Sequence, residues 1–179
     1  MKTVPGYLLI LLIIAVLTGC SQASEMLLPD PDKPPATLAG WGQLVQNRGQ
    51  LTPANRVQVY DLNTPLFTDY AHKFRTLWLP DGQQMNYRDD DSFDFPVGAV
   101  ITKTFFYPQR DGQLLKTADI SRDYGADGLA LNAVRLIETR VLFHTPAGWR
   151  AFPYIWNEDQ TEARLETLGD IKALTLMDG

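Results

Sequence analysis

The chain has 179 residues, a formal net charge of −5 and 45% hydrophobic residues, including four tryptophans, and it contains a single cysteine. This is enough apolar sequence for the core of one domain, and the acidic balance excludes the basic surfaces that select nucleic acid. With one cysteine, the chain has no intramolecular disulfide, C-x-x-C-H haem attachment, thiolate zinc site or iron–sulfur site.

The first residues carry the features of a secretory signal. Lys2 supplies a positive charge, and the apolar run over residues 8–17 is shorter than the roughly 20 residues that a transmembrane helix needs. The run leads into LTGC (17–20), which is an apolar residue, two small residues and a cysteine. This motif resembles the lipobox of bacterial lipoproteins, which implies cleavage between Gly19 and Cys20 and acylation of Cys20.

Acylation would make Cys20 a membrane anchor. Each buried CH₂ contributes roughly 0.8 kcal/mol, so two or three acyl chains hold a protein almost permanently on a bilayer. Ser21, rather than an aspartate, follows the cysteine. By the same resemblance, this implies sorting to the inner leaflet of the outer membrane, with the domain facing the periplasm. The alternative is an uncleaved signal anchor in which the cysteine has no role.

The predicted organisation is a signal peptide over residues 1–19, a lipidated cysteine with a tether over 20–36, and one domain over 37–179. The tether is predicted because residues 21–36 contain four prolines and little periodicity. Residues 37–49 predict a short amphipathic helix, capped by Thr37 and stopped by Gly49, whose apolar face holds Leu38, Trp41, Leu44 and Val45.

The rest of the chain predicts antiparallel strands. Residues 73–80 alternate in polarity, and residues 97–108 are rich in β-branched and aromatic side chains. Residues 135–156 predict a hairpin that turns at Pro146-Ala147-Gly148, with Gly148 suited to a positive φ. One face of its first strand is expected to hold Ile137, Thr139, Val141 and Phe143. The other face is expected to hold Glu138, Arg140 and His144.

A second short helix is predicted after the hairpin. Asn157 and Gln160 have the spacing of a capping box, which would open a helix over about residues 159–165. The expected fold is therefore mainly β, an antiparallel sheet or sandwich-like domain with one or two short peripheral helices.

Few residues suggest chemistry. The acidic stretch DDDSFD (89–94) lacks the spacing of a calcium-binding EF-hand, so a solvated loop is favoured. His72 and His144 are the only histidines, and Lys103 interrupts an apolar strand. A haem- or metal-binding protein, or an enzyme, that uses Lys103, His72, His144 or the acidic loop is one alternative. The favoured interpretation is an exposed His144, a hydrogen-bonded structural His72 and a lysine that extends to solvent.

Aromatic residues of the hairpin are a candidate partner surface, because they alternate between the two faces of the second strand. Aromatic side chains more often fill β cores, so a core position is the favoured interpretation and a docking surface the alternative. The candidate residues are Trp149, Phe152, Tyr154 and Trp156.

Three segments together resemble the N-terminal region of a family of bacterial dihaem c-type cytochromes, often encoded beside a parallel β-helix repeat protein. They are YDLNTPLFTDYAHKFRTLWLPDG (60–82), FDFPVGAVITKTFFYP (93–108) and RLIETRVLFHTPAGWRAFPYIWNEDQTEARL (135–165). In that family, a segment similar to LGDIKALTLMDG (168–179) precedes a C-terminal part with C-x-x-C-H haem sites. No such site is present among these 179 residues.

The resemblance implies an accessory or docking domain without a haem or other cofactor of its own, and not an enzyme. Its expected contacts are membrane lipid through Cys20 and a periplasmic redox or β-helix protein. A truncated or split cytochrome is the first expectation for the chain, and a stand-alone module is the second. A purely structural envelope lipoprotein is a further alternative.

Overall fold

The computed structural model describes residues 28–90, 92–117 and 128–178, and this part of the chain is mainly β. A single turn of 3₁₀ helix at Leu38–Trp41 precedes the strands. The strands are β1 Leu44–Asn47, β2 Gln50–Pro53, β3 Gln58–Tyr60, β4 His72–Trp78, β5 Val100–Arg110, β6 Gln113–Lys116, β7 Leu129–Ala130, β8 Val134–Thr145, β9 Gly148–Trp156, β10 Ala163–Leu165 and β11 Leu176–Asp178.

The strands form a large antiparallel sheet and a small one. The large sheet has the order β10-β9-β8-β5-β4-β3, and β6 extends it by pairing with the end of β5 and, in parallel, with β11. The small sheet has the order β1-β2-β7. Leu44, Leu51 and Leu129 from the small sheet join one hydrophobic core with the large sheet. The prediction of a mainly β domain with antiparallel sheets is confirmed.

One face of the large sheet forms most of the core, because alternate residues of its long strands point to the same side. This inner face is dominated by aromatic, β-branched and threonine side chains. They are Phe74, Thr76 and Trp78 of β4, Val100, Thr102, Thr104 and Phe106 of β5, Leu136, Thr139, Val141 and Phe143 of β8, and Phe152, Tyr154 and Trp156 of β9.

The helix predicted over residues 37–49 is wrong beyond its first turn. Gly42 takes a left-handed conformation with φ 64° and ends the 3₁₀ helix at Trp41, whose indole N–H donates to Tyr154 Oη at 2.6 Å. Leu44 then begins β1, and Arg48 and Gly49, both with positive φ, form the two-residue turn to β2. The glycine read as a helix stop is therefore a hairpin residue, and Val45 is exposed.

The hairpin of β8 and β9 forms as predicted, with Thr145 paired to Gly148 and Gly148 at φ 111°. One inner-face prediction is wrong. The register between β5 and β8 shifts after Phe105, and this bulge leaves Ile137 without a partner on β5. Ile137 is consequently only half-buried, while Leu136 takes the core position.

The second predicted helix is absent from the described residues after β9. Asn157 does act as a cap, since its Oδ1 accepts from the backbone N–H of Thr161 at 2.9 Å, but it closes a turn that leads into β10. Gln160 takes φ 55° and is buried. Its Oε1 accepts from Leu136 N–H at 2.6 Å beside the bulge, so Gln160 supports the sheet rather than a helix.

The predicted tether is shorter than the proline-rich stretch. Residues 28–36 pack on the domain: Asp32 forms an ion pair with Arg150 at 2.7 Å, and the carbonyl of Pro35 accepts from Tyr154 Oη at 2.8 Å. The predicted signal peptide and Cys20 lie outside the described residues. Among residues 28–90, 92–117 and 128–178, no helix has the length and apolarity to cross a membrane.

Buried threonines link the central strands. Thr76 and Thr102 share a hydrogen bond at 2.6 Å, and Thr104 and Thr139 share another at 2.8 Å. Thr139 Oγ1 also accepts from the indole N–H of Trp156 at 2.9 Å. These contacts satisfy polar groups that would otherwise be costly in the core.

Thr139→Val should lower the free energy of unfolding by about 1–3 kcal/mol, because it leaves the Trp156 N–H and the Thr104 hydroxyl without a partner. The double variant Thr76→Val/Thr102→Val replaces both partners with groups of similar shape and should be nearly neutral. Urea denaturation monitored by tryptophan fluorescence measures both. Equal losses in the two variants would contradict this account of the threonine network.

Candidate functional site

The two histidines and Lys103 do not form one site. His72 lies on the inner face at one end of β4, opposite Phe106, and its Nε2 is 3.1 Å from the carbonyl oxygen of Thr117. The backbone N–H of His144 donates to Ala99 at the other end of β5. Ala99 and Phe106 are seven residues apart, so the histidines are separated by about 23 Å along the strand.

His144 is half-buried rather than exposed as expected, and it makes structural contacts. Its Nδ1 is 3.1 Å from the carbonyl oxygen of Pro96, and its ring stacks on Trp149 at 4.7 Å. Lys103 points to the outer face of the sheet, away from His72. A joint haem, metal or catalytic site of Lys103, His72 and His144 is therefore incompatible with their positions.

The acidic stretch 89–94 is partly neutralised by Arg88, which lies 3.5 Å from Asp90 and 3.4 Å from Asp94. Asp91 lies outside the described residues. Among the residues that are described, no group of three or more histidine, cysteine, aspartate or glutamate side chains is arranged to hold a metal ion.

The candidate aromatic surface is reduced to one residue. Phe152, Tyr154 and Trp156 lie in the core, whereas Trp149 is 42% exposed. Trp149 is close to the turn of the hairpin, where its strand passes the edge of the core. The favoured core interpretation is thus correct for three of the four aromatic residues.

The outer face of the large sheet carries an unusual row of cations. Arg75 on β4 pairs with Lys103 on β5, and Lys103 pairs with Arg140 on β8. Three positive side chains therefore stand directly opposite one another across three neighbouring strands. Like charges in this arrangement repel, and such pairs destabilise a sheet. We call these three residues the cation row.

Carboxylates compensate only the two ends of the cation row. Arg75, nearly buried, forms an ion pair with Asp61 at 2.8 Å. Arg140 binds Glu138 through two hydrogen bonds, Nε to Oε1 at 2.7 Å and Nη2 to Oε2 at 3.0 Å. Lys103 has no carboxylate within ion-pair distance among the described residues. Its ammonium instead lies 5.2 Å from the centre of the Phe105 ring.

The surroundings disfavour the charged form of Lys103. Partial burial, followed by repulsion from Arg140 and Arg75, lowers the pKa of Lys103 below its ordinary value of 10.5, while Glu138 acts in the opposite direction. The pKa of the neighbouring Lys73 is lowered as well, by partial burial and by repulsion from Arg75 and Lys103. The centre of the row thus has excess positive charge on a protein whose net charge is negative.

A cavity of about 210 Å³ extends the site along β4. Lys73 and Arg75 line it on the strand side together with Asp61, and residues 65–68, 70 and 71 cover it. Asp69 and Tyr70 in this covering segment both have positive φ, with no glycine to relieve the strain. The cavity therefore adjoins the Arg75 end of the cation row, where Asp61 balances the charge of Arg75.

Sequence reasoning singled out Lys103 and placed Arg140 on the polar face of its strand, but it gave Arg140 no role and did not single out Arg75. Arg75, Lys103 and Arg140 each lie between threonine or apolar residues in an alternating strand. This pattern predicts that each cation lies on the face of its strand opposite the core. That signal predicts outward cations one strand at a time. Their alignment depends on the register of three strands, which strand patterns do not give.

Lys103→Met should be neutral or stabilising by up to about 0.5 kcal/mol at pH 7, because it removes a charge repelled by its neighbours. The folded pKa of Lys103 lies below 10.5, so the cost of protonating it is complete below that folded pKa. The cost disappears as pH rises towards 10.5. Urea denaturation at several pH values should therefore show the variant and the parent protein converging at alkaline pH. A loss of more than about 1 kcal/mol in the variant would mean that Lys103 stabilises the fold.

Comparison with known proteins adds no relative to this description. No family model, no curated protein and no solved structure matches the chain. The proposed function therefore rests on the geometry of the site and on the lipobox pattern.

Proposed function

We propose that this protein is a periplasmic lipoprotein, anchored to the outer membrane through acylated Cys20, whose β domain docks an acidic partner on the cation row. The domain acts by binding and carries no haem of its own. The uncompensated charge of Lys103, held between Arg75 and Arg140, is the observation that carries this proposal.

A charged Lys103 ammonium between Arg75 and Arg140 is costly in free energy. Lys103 could relieve its repulsion in isolation only by losing its proton, and its lowered pKa expresses that tendency. A carboxylate from a partner would reverse the balance by pairing with the ammonium. The interaction would be strengthened by partial burial, since water screens the charges less there than at an open surface.

The neighbouring residues suit such a contact. Arg140 is half-exposed and already held rigid by Glu138, so little side-chain entropy is lost on binding. Phe105 lies beneath both Lys103 and Arg140, with the Arg140 guanidinium 4.9 Å from the ring centre. At such a contact, the two cations would steer the encounter with an acidic partner, and burial of the charge pair would slow dissociation.

The partner expected from the resemblance to dihaem cytochromes is a periplasmic redox or β-helix protein. In our proposal the cation row meets an acidic patch on that protein, and the lipid anchor confines the meeting to the membrane surface. Nucleic acid is not a suitable partner for a chain of net charge −5.

Two other functions lead to different expectations. An enzyme or haem protein built on Lys103, His72 and His144 would require these side chains to converge, and they lie far apart. A purely structural envelope lipoprotein needs no ligand for the cation row. Only the docking proposal expects the protonation of Lys103 to respond to an added acidic peptide.

A hexaglutamate peptide serves as the probe of an acidic surface. Adding it to the mature chain with Cys20→Ser should raise the pKa of Lys103, followed by NMR titration of the lysine side-chain signals. Lys103→Gln should weaken peptide binding about fivefold, equivalent to ~1 kcal/mol, and higher ionic strength should weaken the parent protein's binding.

Lys33→Gln is the matched control, because Lys33 is an exposed lysine on the packed segment before the first strand. It should bind the peptide as the parent protein does. Inorganic phosphate distinguishes a small-anion site from a surface that recognises several carboxylates. An unchanged Lys103 pKa at saturating peptide, or equal binding by Lys103→Gln and the parent protein, would refute the docking proposal.

A further inference from the structure

A second surface, separate from the cation row, is a series of neighbouring rings, of which Tyr87, Phe93 and Trp149 are exposed and Phe95 and His144 half-buried. Tyr87 lies 5.8 Å from Phe93, Phe93 6.5 Å from Phe95, and Phe95 5.5 Å from Trp149, with each distance measured between ring centres. The imidazole of His144 stacks on Trp149 at the end of the series. We call these five residues the aromatic ladder.

The aromatic ladder exposes more apolar surface than scattered surface residues do. Tyr87 is 73% exposed, and Phe93 and Trp149 are each exposed by more than two fifths. Val97 and Leu142, also exposed, belong to the same end of the sheet. A contiguous apolar patch of this kind is typical of a surface that binds a membrane or another molecule.

The N-terminal segment joins the domain beside this patch. A Cβ placed on Gly98 would lie 3.2 Å from Cδ1 of Leu28, the first described residue. Gly98 N–H donates in turn to the carbonyl of His144 at 2.7 Å. The chain that leads back to Cys20 therefore leaves the domain next to the aromatic ladder.

Chain length confines the anchor to this end of the domain. Seven residues lie between Cys20 and Leu28, and the eight steps from one Cα to the next span about 26–29 Å when fully extended. Strand β5 runs from Val100, near the aromatic ladder, to Arg110, about 33 Å away. An acylated Cys20 can thus bring the aromatic ladder to the bilayer, whereas the far end of β5 lies beyond its reach.

We infer that the aromatic ladder rests in the headgroup region of the bilayer beside the lipid anchor, an inference that depends on the proposed lipidation of Cys20. Tryptophan and tyrosine favour this region because their rings are apolar and their N–H or O–H groups reach water. Asp89, Asp90 and Asp94 lie in the same loop as Phe93, with Arg88 beside two of them. The surface therefore suits zwitterionic lipid better than anionic lipid.

This seating also orients the docking surface. Arg140 and His144 share the outer face of β8 and are four residues apart, about 13 Å along the strand. With the aromatic ladder in the bilayer, the cation row stands clear of the headgroups and faces the periplasm. The lipid would thereby restrict the directions from which a partner approaches.

Tryptophan fluorescence tests the inference, because Trp41, Trp78 and Trp156 are buried and only Trp149 is exposed. The mature lipidated protein is reconstituted in phosphatidylcholine vesicles with brominated acyl chains. Bromine should quench the emission of Trp149, and this quenching should be absent from the Trp149→Phe variant. Acrylamide should quench Trp149 at least twofold less in these vesicles than in the soluble Cys20→Ser protein.

The exposed positions supply matched variants that leave the core intact. Tyr87→Ser/Phe93→Ser should restore acrylamide access to Trp149 in vesicles. Phe67→Ser should leave acrylamide access to Trp149 unchanged. Phe67 is about as exposed as Tyr87, but it lies near the His72 end of β4, away from the aromatic ladder. Adding phosphatidylglycerol should leave the shielding of Trp149 unchanged or reduce it.

Vesicle flotation and the mass of the Cys20 peptide separate the two proposals. Protein that is acylated and floats, but whose Trp149 stays as open to acrylamide as in the soluble protein, overturns the seating and leaves the anchor standing. Shielding that appears only after a periplasmic protein is added also overturns it. Absence of the acyl mass refutes the anchor and the seating with it.

Discussion

The structure depends on the register with which β4, β5 and β8 pair. The pairing of β4 with β5 brings Thr76 and Thr102 together on the inner face. The same pairing places Arg75 opposite Lys103 on the outer face, one residue along each strand. A shift of one residue would send the aromatic core to solvent and the cations into the core. Core burial therefore determines the alignment of the cation row, even though that alignment is itself repulsive.

The β-bulge after Phe105 limits how far this arrangement extends. On the side of the bulge towards Arg110, Leu136 and Phe106 continue the core, and the Gln160 side chain accepts a hydrogen bond from the backbone N–H of Leu136. On the side towards Val100, Arg140 lies opposite Lys103, and His144 lies at the end of the sheet. The bulge thus separates the end of the sheet that Gln160 supports from the end that carries the cation row and the aromatic ladder.

The two proposed surfaces have different physical characters. The cation row combines partial burial with uncompensated charge, so its interactions are directional and salt-dependent. The aromatic ladder is apolar and stacked, so it suits a lipid interface that offers area rather than specific partners. In the two proposals together, seating the aromatic ladder in the lipid would leave the cation row facing the periplasm.

Alternation and turn residues were sufficient to predict the mainly β fold, the hairpin of β8 and β9 and the turn at Gly148. Local patterns failed where tertiary contacts intervened. The segment 37–49 has helical spacing, yet Gly42 and the Arg48-Gly49 turn favour a hairpin whose leucines pack on the large sheet. Asn157 has the signature of a helix cap, but pairing with β9 makes the following residues a strand. In both segments, burial against the sheet outweighed local helix propensity.

The sequence by itself determined the composition limits, the lipobox pattern at Cys20 and the outward phase of Lys103, because these depend only on residue identity and short spacing. Tertiary structure decided which residues surround Lys103, how far apart the histidines lie and which hairpin aromatics reach solvent. Those properties arise from contacts between strands distant in the chain, such as Arg75 with Lys103 and Trp149 with Phe95. Strand register and the bulge set these contacts, and both result from packing one shared core.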